Sequence, residues 1–185
     1  MDERSLNTLP PDLPAPVDDG AAAHLAGTPL PHVALAATDG RTVDLASMPG
    51  TVVVFAYPRT GRPGEPSLVE NWDQIPGARG CTPHTCGFRD VHAEFTALGA
   101  RVFGLSTQET TYQREMVERL HVPFPVLSDA ELALTRALRL PTINVAGQTL
   151  LKRIAWIARD GAIARVFYPV FPPDRNAADV LAALR

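Results

Sequence analysis

The two cysteines of this 185-residue chain lie five positions apart, in the segment GCTPHTCG that spans residues 80–87. Cysteine attacks electrophiles and oxidants as the thiolate. The start of a helix stabilises that charge, because its first backbone N–H groups lack partners and the helix dipole is positive there. Pro83 favours the first turn of a helix, which places Cys81 at or just before the beginning of one. The pattern therefore predicts that Cys81 is a nucleophilic thiol.

Cys86 is near Cys81 in sequence, but helical geometry would keep the two side chains apart. Five residues along a helix correspond to about 500° of rotation and about 7.5 Å of rise, so the Cα atoms lie roughly 8–9 Å apart. A disulfide needs Cα atoms within about 7 Å. The glycines at positions 80 and 87 make local unwinding easier. We interpret the cysteines as a redox pair that changes conformation, not as a permanent crosslink.

The composition is that of an ordinary globular domain, with 45% hydrophobic residues, 20% charged residues and a net charge of −3. This charge gives no reason to expect nucleic acid or an anionic membrane as a partner. The N-terminus lacks the apolar run of a signal peptide, and no stretch reaches the ~20 apolar residues of a membrane span. We expect a cytoplasmic protein, in which closely spaced cysteines are more often catalytic than structural. No apolar stripe requires a dimer, so we also expect a monomer.

The chain divides into two parts. Residues 1–31 contain six prolines and predict an extended arm, whereas residues 32–185 alternate strand and helix patterns and predict one domain. In chain order, the second part predicts a hairpin around Asp39-Gly40, a buried strand over 51–57, an inserted loop over 61–80, a helix over 83–98, a strand over 101–105, a helix over 109–120, a strand over 125–127, a helix over 130–138, a hairpin from 154 to 168 and a final helix capped by Asp174.

This order predicts an α/β fold with a central mixed β-sheet flanked by helices, preceded by the N-terminal hairpin and arm. The strand over 51–57 is apolar and β-branched, which is typical of a strand buried on both faces. The cysteine helix begins beyond the carboxyl end of this strand, where open α/β sheets usually place their sites. Trp72 and Ile75 are expected to anchor the inserted loop to the body.

The cysteine segment resembles the active-site helix of Q-type peroxiredoxins, also called bacterioferritin comigratory proteins, which belong to the alkyl hydroperoxide reductase/thiol-specific antioxidant superfamily. The resemblance rests on GCT at residues 80–82 and CGFRD at 86–90, with support from Tyr57-Pro58, GLS at 104–106 and PFPVLSD at 123–129. Arg153 stands where that family has an arginine opening the strand before an Asp-Gly turn. The resemblance covers roughly residues 30–185.

The resemblance implies a thioredoxin fold and peroxidase activity toward hydrogen peroxide and organic hydroperoxides. Cys81 would be the peroxidatic cysteine, which attacks the O–O bond and becomes a sulfenic acid. Cys86 would be the resolving cysteine, which condenses with that sulfenic acid to form an intramolecular disulfide. Arg153 would stabilise the charge that develops during the attack. A dithiol protein such as thioredoxin would regenerate the thiols, and no metal, haem or flavin would be required.

This chain departs from the family's Pro-x-x-x-Thr/Ser-x-x-Cys motif before Cys81. The residue three before Cys81 is Ala78 and the residue seven before it is Gln74, and neither fits the motif.

A proline and a threonine do stand directly after the central strand, as Pro58 and Thr60. We therefore predict that the 61–80 insertion separates them from Cys81 in sequence and that folding restores the pocket. Thr60 is then the hydroxyl that would position the peroxide. Pro58 and Thr82 are further pocket candidates, and Thr82 offers an alternative hydroxyl.

Other functions use the same residues. Cys81, His84 and Cys86 could hold a metal ion, with His92 as another nearby candidate, although such sites usually have a fourth ligand. The cysteine pair could belong to a non-catalytic redox sensor that changes a surface for a partner. A disulfide oxidoreductase normally has Cys-x-x-Cys spacing, which is absent here. His84 could also act as a base, but a solvated residue of the first helical turn is the simpler expectation.

Overall fold

The computed structural model describes residues 3–185; the first two residues of the predicted arm lie outside it. The helices of the described part are α1 (Glu3–Asn7), α2 (Cys81–Asp90), α3 (His92–Ala97), α4 (Thr110–Arg119), α5 (Ala133–Leu138) and α6 (Asn176–Ala182). The strands are β1 (Ala34–Ala37), β2 (Thr42–Asp44), β3 (Thr51–Ala56), β4 (Ala100–Ser106), β5 (Val126–Ser128), β6 (Thr142–Val145), β7 (Gln148–Leu151), β8 (Ile154–Arg159) and β9 (Ala162–Phe167). No helix of this part is both long enough and apolar enough to cross a membrane.

Seven strands form one mixed sheet in the order β2-β1-β5-β4-β3-β8-β9. β3 pairs in parallel with β4, and β4 in parallel with β5, whereas β8 runs antiparallel to β3 on its other side. The predicted central mixed sheet flanked by helices is therefore confirmed. The carboxyl ends of β3, β4 and β5 meet at one edge of this sheet, and this edge carries the candidate site.

β3 is buried on both faces, as its apolar sequence predicts. Val53 and Phe55 belong to a cluster formed with side chains of α2, α3, α4 and α6. Val52 and Val54 belong to a second cluster, formed with α5 and with residues 22–30 of the arm. Because each large apolar side chain contributes roughly 1.5–3 kcal/mol when buried, packing from both sides fixes the position of this strand.

The proline-rich arm packs along the body of the molecule. Leu25 and Leu30 are buried in the core, and the backbone N–H of Leu30 donates to the carbonyl of Gly161 at 2.8 Å. Nearer the N-terminus, α1 is a short helix that the proline content did not predict. Its Leu6 is 5% exposed, and α1 packs against α2.

The inserted loop packs against a hairpin that the sequence did not reveal. Trp72 from the loop joins Val145 and Leu150 from β6 and β7 in a third apolar cluster. The two strands turn at Ala146 and Gly147, both of which have positive φ, at 50° and 76°. This turn usually carries Asn-Gly or Asp-Gly, and an alanine in its first position hides it from sequence reasoning.

The predicted single helix over 83–98 is wrong, because the structure has two helices that meet at Val91. In one straight helix, residues seven apart are separated by about 10.5 Å along the axis. The break instead brings the rings of Phe88 and Phe95 to 5.7 Å, stacked in the core. Leu98, the last residue of the predicted helix, lies after α3 and is 44% exposed.

The last helix also begins later than predicted. Asp174 lies in a short 3-10 turn over Pro173–Arg175 and makes no capping bond with its side chain, and α6 begins at Asn176. The backbone oxygen of Asp174 faces α2, where a Cβ added at Gly87 would lie 3.1 Å from it. The absence of a side chain at Gly87 therefore permits this close contact between α2 and the C-terminal segment.

Candidate active site

Cys81 is the first residue of α2 and is 3% exposed. The preceding Gly80 has a φ of 98°, a conformation that favours glycine. A Cβ at Gly80 would lie 2.6 Å from Cγ of Pro173 and 2.7 Å from Cδ2 of Leu9. Both the backbone conformation and the packing therefore require glycine at this helix start.

The guanidinium of Arg153 contacts the cysteine sulfur directly. Its Nη2 lies 3.3 Å from Sγ of Cys81, and the thiol faces the carbonyl of Ala78 at 3.5 Å. The same Nη2 is within hydrogen-bond distance of the carbonyls of Gly77, Ala78 and Arg79, at 3.3, 3.4 and 3.0 Å. All three carbonyls belong to the inserted loop. The insertion that interrupts the sequence motif therefore holds the cation that can stabilise a Cys81 thiolate.

His84 holds the other side of this guanidinium. Its Nδ1 lies 2.9 Å from Nη1 of Arg153, and its Nε2 lies 2.9 Å from Oδ1 of Asn176 on α6. Because a guanidinium only donates hydrogen bonds, Nδ1 must be the acceptor, and Nε2 carries the proton and donates to Asn176. Burial and the Arg153 charge hold the pKa of His84 well below its usual 6.5.

The expectation that His84 is solvated is therefore wrong, since the ring is fully buried. The lone pair of its ring is engaged by Arg153, so His84 is not available to the alternative metal site with Cys81 and Cys86. Among the side chains of residues 5–185, no group of three or more His, Cys, Asp or Glu is arranged to hold a metal ion.

Thr60 is fixed by a buried glutamine at the end of the neighbouring strand. Its backbone N–H and its hydroxyl both donate to Oε1 of Gln108, at 2.9 and 3.1 Å. The Nε2 of Gln108 donates back to the carbonyl of Thr60 at 3.2 Å. Since the hydroxyl proton is used in this way, the oxygen of Thr60 can serve as an acceptor for a bound molecule.

Thr60, Cys81 and Thr82 line one small cavity, so folding brings together residues that the insertion separates in sequence. Leu6 of α1 and Trp72 of the inserted loop line it as well. Its volume is about 30 Å³, which holds about two water-sized groups, since one such group needs roughly 10–15 Å³.

The other predicted pocket residue, Pro58, lines a different cavity. Pro58 and Arg153 line a neighbouring cavity of about 180 Å³, together with Ala78. Arg153 therefore contacts the sulfur of Cys81 from a cavity other than the one that Thr60 lines. Its guanidinium lies against backbone carbonyls of the inserted loop.

Cys86 lies on the second turn of α2, and both cysteines are free thiols. It is partly buried at the edge of the core cluster. Burial raises the pKa of Cys86, and the nearby charge of Arg89 offsets only part of that effect. Because both cysteines are helical, their Cα atoms lie roughly 8–9 Å apart, and a disulfide requires α2 to unwind.

Sequence reasoning missed Gln108 and Asn176. A signal for Gln108 existed, because it follows β4, and the carboxyl ends of adjacent parallel strands meet at one edge. Asn176 had no such signal, since it lies 92 positions from His84.

Comparison with known proteins places this arrangement in a family. The Redoxin family profile matches residues 25–184. "Peroxiredoxin Q, chloroplastic" of Oryza sativa subsp. japonica is 26% identical over 160 residues, which cover 86% of this chain and 66% of the relative. The chain thus spans just under two thirds of the length of this curated relative.

Solved structures agree with this placement. The crystal structure of peroxidoxin BcpB from Mycobacterium tuberculosis is 26% identical, has a TM-score of 0.70 and covers 88% of this chain and 97% of its own. The bacterioferritin comigratory protein of Xanthomonas campestris, at 21% identity, a TM-score of 0.65 and coverage of 94% and 97%, supports the fold alone. The predicted thioredoxin fold is confirmed. The chain belongs to the Redoxin family, and within it to the Q-type peroxiredoxins that its cysteine helix resembles.

Proposed function

We propose that this protein is a thiol peroxidase that uses Cys81 as its nucleophile and Cys86 as its resolving thiol. One observation carries the proposal. The Cys81 sulfur lies at the beginning of a helix, 3.3 Å from the Arg153 guanidinium, and lines a cavity that also contains Thr60. A helix N-terminus and a hydrogen-bond acceptor thus border one small space, and a thiolate-stabilising cation contacts the same sulfur from the neighbouring cavity.

In the first step, the Cys81 thiolate attacks the terminal oxygen of a peroxide R–O–OH. The new S–O bond forms as the O–O bond breaks, and Cys81 becomes a sulfenic acid. The leaving R–O⁻ takes a proton and departs as an alcohol, or as water when the substrate is hydrogen peroxide. The oxygen of Thr60 accepts the peroxide O–H and orients the O–O bond, while Arg153 stabilises the negative charge at the reacting sulfur.

In the second step, the sulfur of Cys86 attacks the sulfenic sulfur of Cys81, and water leaves as the disulfide forms. Unwinding of α2 precedes this bond. It also exposes Cys86 to water and removes the burial that raises its pKa, so the thiol becomes reactive where it is needed. A thioredoxin-like dithiol then supplies two electrons by thiol–disulfide exchange.

The test compares wild type, Cys81→Ser and Cys86→Ser with hydrogen peroxide, thioredoxin and its NADPH-dependent reductase. We expect wild type to turn over and to accumulate an internal disulfide when thioredoxin is withheld. Cys81→Ser should show no turnover above background. Cys86→Ser should form a sulfenic acid at Cys81, which mass spectrometry detects as its dimedone thioether, and should not recycle through an internal disulfide.

Turnover in Cys81→Ser would contradict the assignment of the nucleophile. A wild-type protein that forms the disulfide once, and that thioredoxin then fails to reduce, would instead favour the non-catalytic redox sensor.

A further inference from the structure

A second arginine borders the Cys81 cavity, and the proposed peroxidase chemistry does not use it. Arg59 follows Pro58 after the central strand, is partly buried, and lines the cavity beside Thr60 and Cys81. Its guanidinium carbon lies 4.9 Å from the centre of the Tyr112 ring. This stacking holds the charge at the rim by a cation–π contact.

Arg59 differs from its arginine neighbours in its lack of an acidic partner. Arg62 stacks on the same Tyr112 ring at 3.9 Å, but its charge is shared with Glu65 at 3.7 Å and Glu115 at 4.0 Å. Arg79, which also lines the cavity, pairs with Asp73 at 3.6 Å. Among the side chains of residues 5–185, no carboxylate lies within 4.0 Å of the Arg59 guanidinium as an ion-pair partner.

Arg59 and Tyr112 also line an open groove of about 390 Å³ next to the cavity. The cavity itself holds only about two water-sized groups, which suits the O–O unit of a peroxide but not an organic substituent. A substituent that leaves the cavity between Arg59 and Tyr112 enters this groove.

Two charged side chains besides Arg59 line the groove, Arg62 and Glu109. Arg62 is paired as described above, and Glu109 lies at the positive N-terminal end of α4 without a capping bond from its side chain. A carboxylate on the substituent would therefore find one uncompensated guanidinium at the mouth of the cavity, with a planar fork that matches it.

On the basis of the proposed peroxidase function, we propose that Arg59 is a specificity-determining residue for organic hydroperoxides that carry a carboxylate. The peroxide group enters the Cys81 cavity, the substituent lies in the groove, and the carboxylate pairs with Arg59. The atoms and electrons of the reaction are those of the first step above, so no further reactant is required.

The test uses a matched pair of substrates, hydroperoxyhexanoic acid and its methyl ester, which differ in charge. Stopped-flow oxidation of Cys81 gives a second-order rate constant for each, and their ratio is the readout. We expect wild type to favour the acid roughly tenfold and this preference to shrink as salt is added. Arg59→Gln should bring the ratio near one, and Arg59→Lys should restore part of the preference, because it returns the charge without the planar fork.

Arg62→Gln is the matched control. It also removes a guanidinium that stacks on Tyr112, but the charge of that guanidinium is already paired with glutamates. It should retain the preference for the acid. A wild-type ratio near one, with hydrogen peroxide still oxidising Cys81, would overturn the role of Arg59 and leave the peroxidase proposal standing. An equal loss of preference in Arg62→Gln would overturn the assignment to Arg59. Failure of hydrogen peroxide to oxidise Cys81 would contradict the peroxidase itself.

Discussion

The first two turns of helix α2 carry one cysteine each, and the surroundings of the two thiols differ. On the first turn, Cys81 and His84 are buried, and Arg153 contacts both. On the second turn, Cys86 is partly exposed, and burial raises the pKa of its thiol with no cation in contact with its sulfur among the described residues. The surroundings of Cys81 can therefore stabilise a thiolate, whereas those of Cys86 disfavour one.

The two turns also differ in the contacts that hold them to the rest of the molecule. The first turn is tied to the inserted loop through the carbonyls that hold Arg153 and to α6 through the bond from His84 to Asn176. The second turn leads to Gly87, which packs on backbone, and to the helix break at Val91. Glycine weakens a helix interior by about 1 kcal/mol relative to alanine, so unwinding should begin at the second turn.

The largest expected effect comes from removing the cation of the first turn. Arg153→Gln should lower the rate of Cys81 oxidation by hydrogen peroxide by roughly 100- to 1,000-fold, as expected when a preorganised charge is lost. Alkylation of Cys86 in the same molecules should change little, because Arg153 does not contact it. Both rates can be measured by quantitative mass spectrometry of the two cysteine peptides.

Arg153→Lys serves as the control. It keeps a positive charge but cannot reach both His84 and the sulfur with a planar fork, so we expect an intermediate rate. An unchanged rate of Cys81 oxidation in Arg153→Gln would contradict the claim that Arg153 makes the first turn more reactive than the second.

A smaller effect should appear in the pH dependence of stability, through His84. Its pKa in the folded protein is well below 6.5, whereas in the unfolded chain it has the ordinary value. Below pH 6.5 the unfolded chain therefore binds a proton that the folded chain does not, and stability falls as the pH falls. Between pH 6.5 and 5.5 this contributes a loss of about 1 kcal/mol.

Urea unfolding of wild type and His84→Gln at both pH values measures this contribution. The variant lacks the titrating ring, so its loss of unfolding free energy should be smaller than that of wild type by about the same 1 kcal/mol. Equal losses in the two proteins would mean that His84 is not held neutral at the first turn.

The sequence was sufficient where a local pattern decides the structure. The apolar β-branched run predicted the central strand, and Pro83 predicted that a helix begins close to Cys81. Thr60 was also found from its position after that strand, although twenty residues, 61–80, intervene before Cys81. In each case the determinants lie within a few residues of each other or at the ends of adjacent strands.

The sequence was insufficient where the determinants are distant contacts. Nothing near His84 indicates that it meets Asn176 and Arg153, because those contacts span 92 and 69 positions. The hairpin of β6 and β7 was missed because Ala146 adopts a positive φ that glycine or asparagine would have signalled. The inserted loop looked like an interruption of the motif, yet its backbone carbonyls hold Arg153, the arginine that contacts Cys81.

The central claim is that the surroundings of Cys81, and not those of Cys86, activate a thiol. Cys86→Ser and Cys81→Ser each leave one cysteine, and stopped-flow reaction with hydrogen peroxide at neutral pH gives the rate constant of that thiol. We predict that the Cys81 thiol reacts at least about a hundredfold faster than the Cys86 thiol, because only the former combines a helix N-terminus with a contacting guanidinium. Comparable rates for the two thiols would contradict the account.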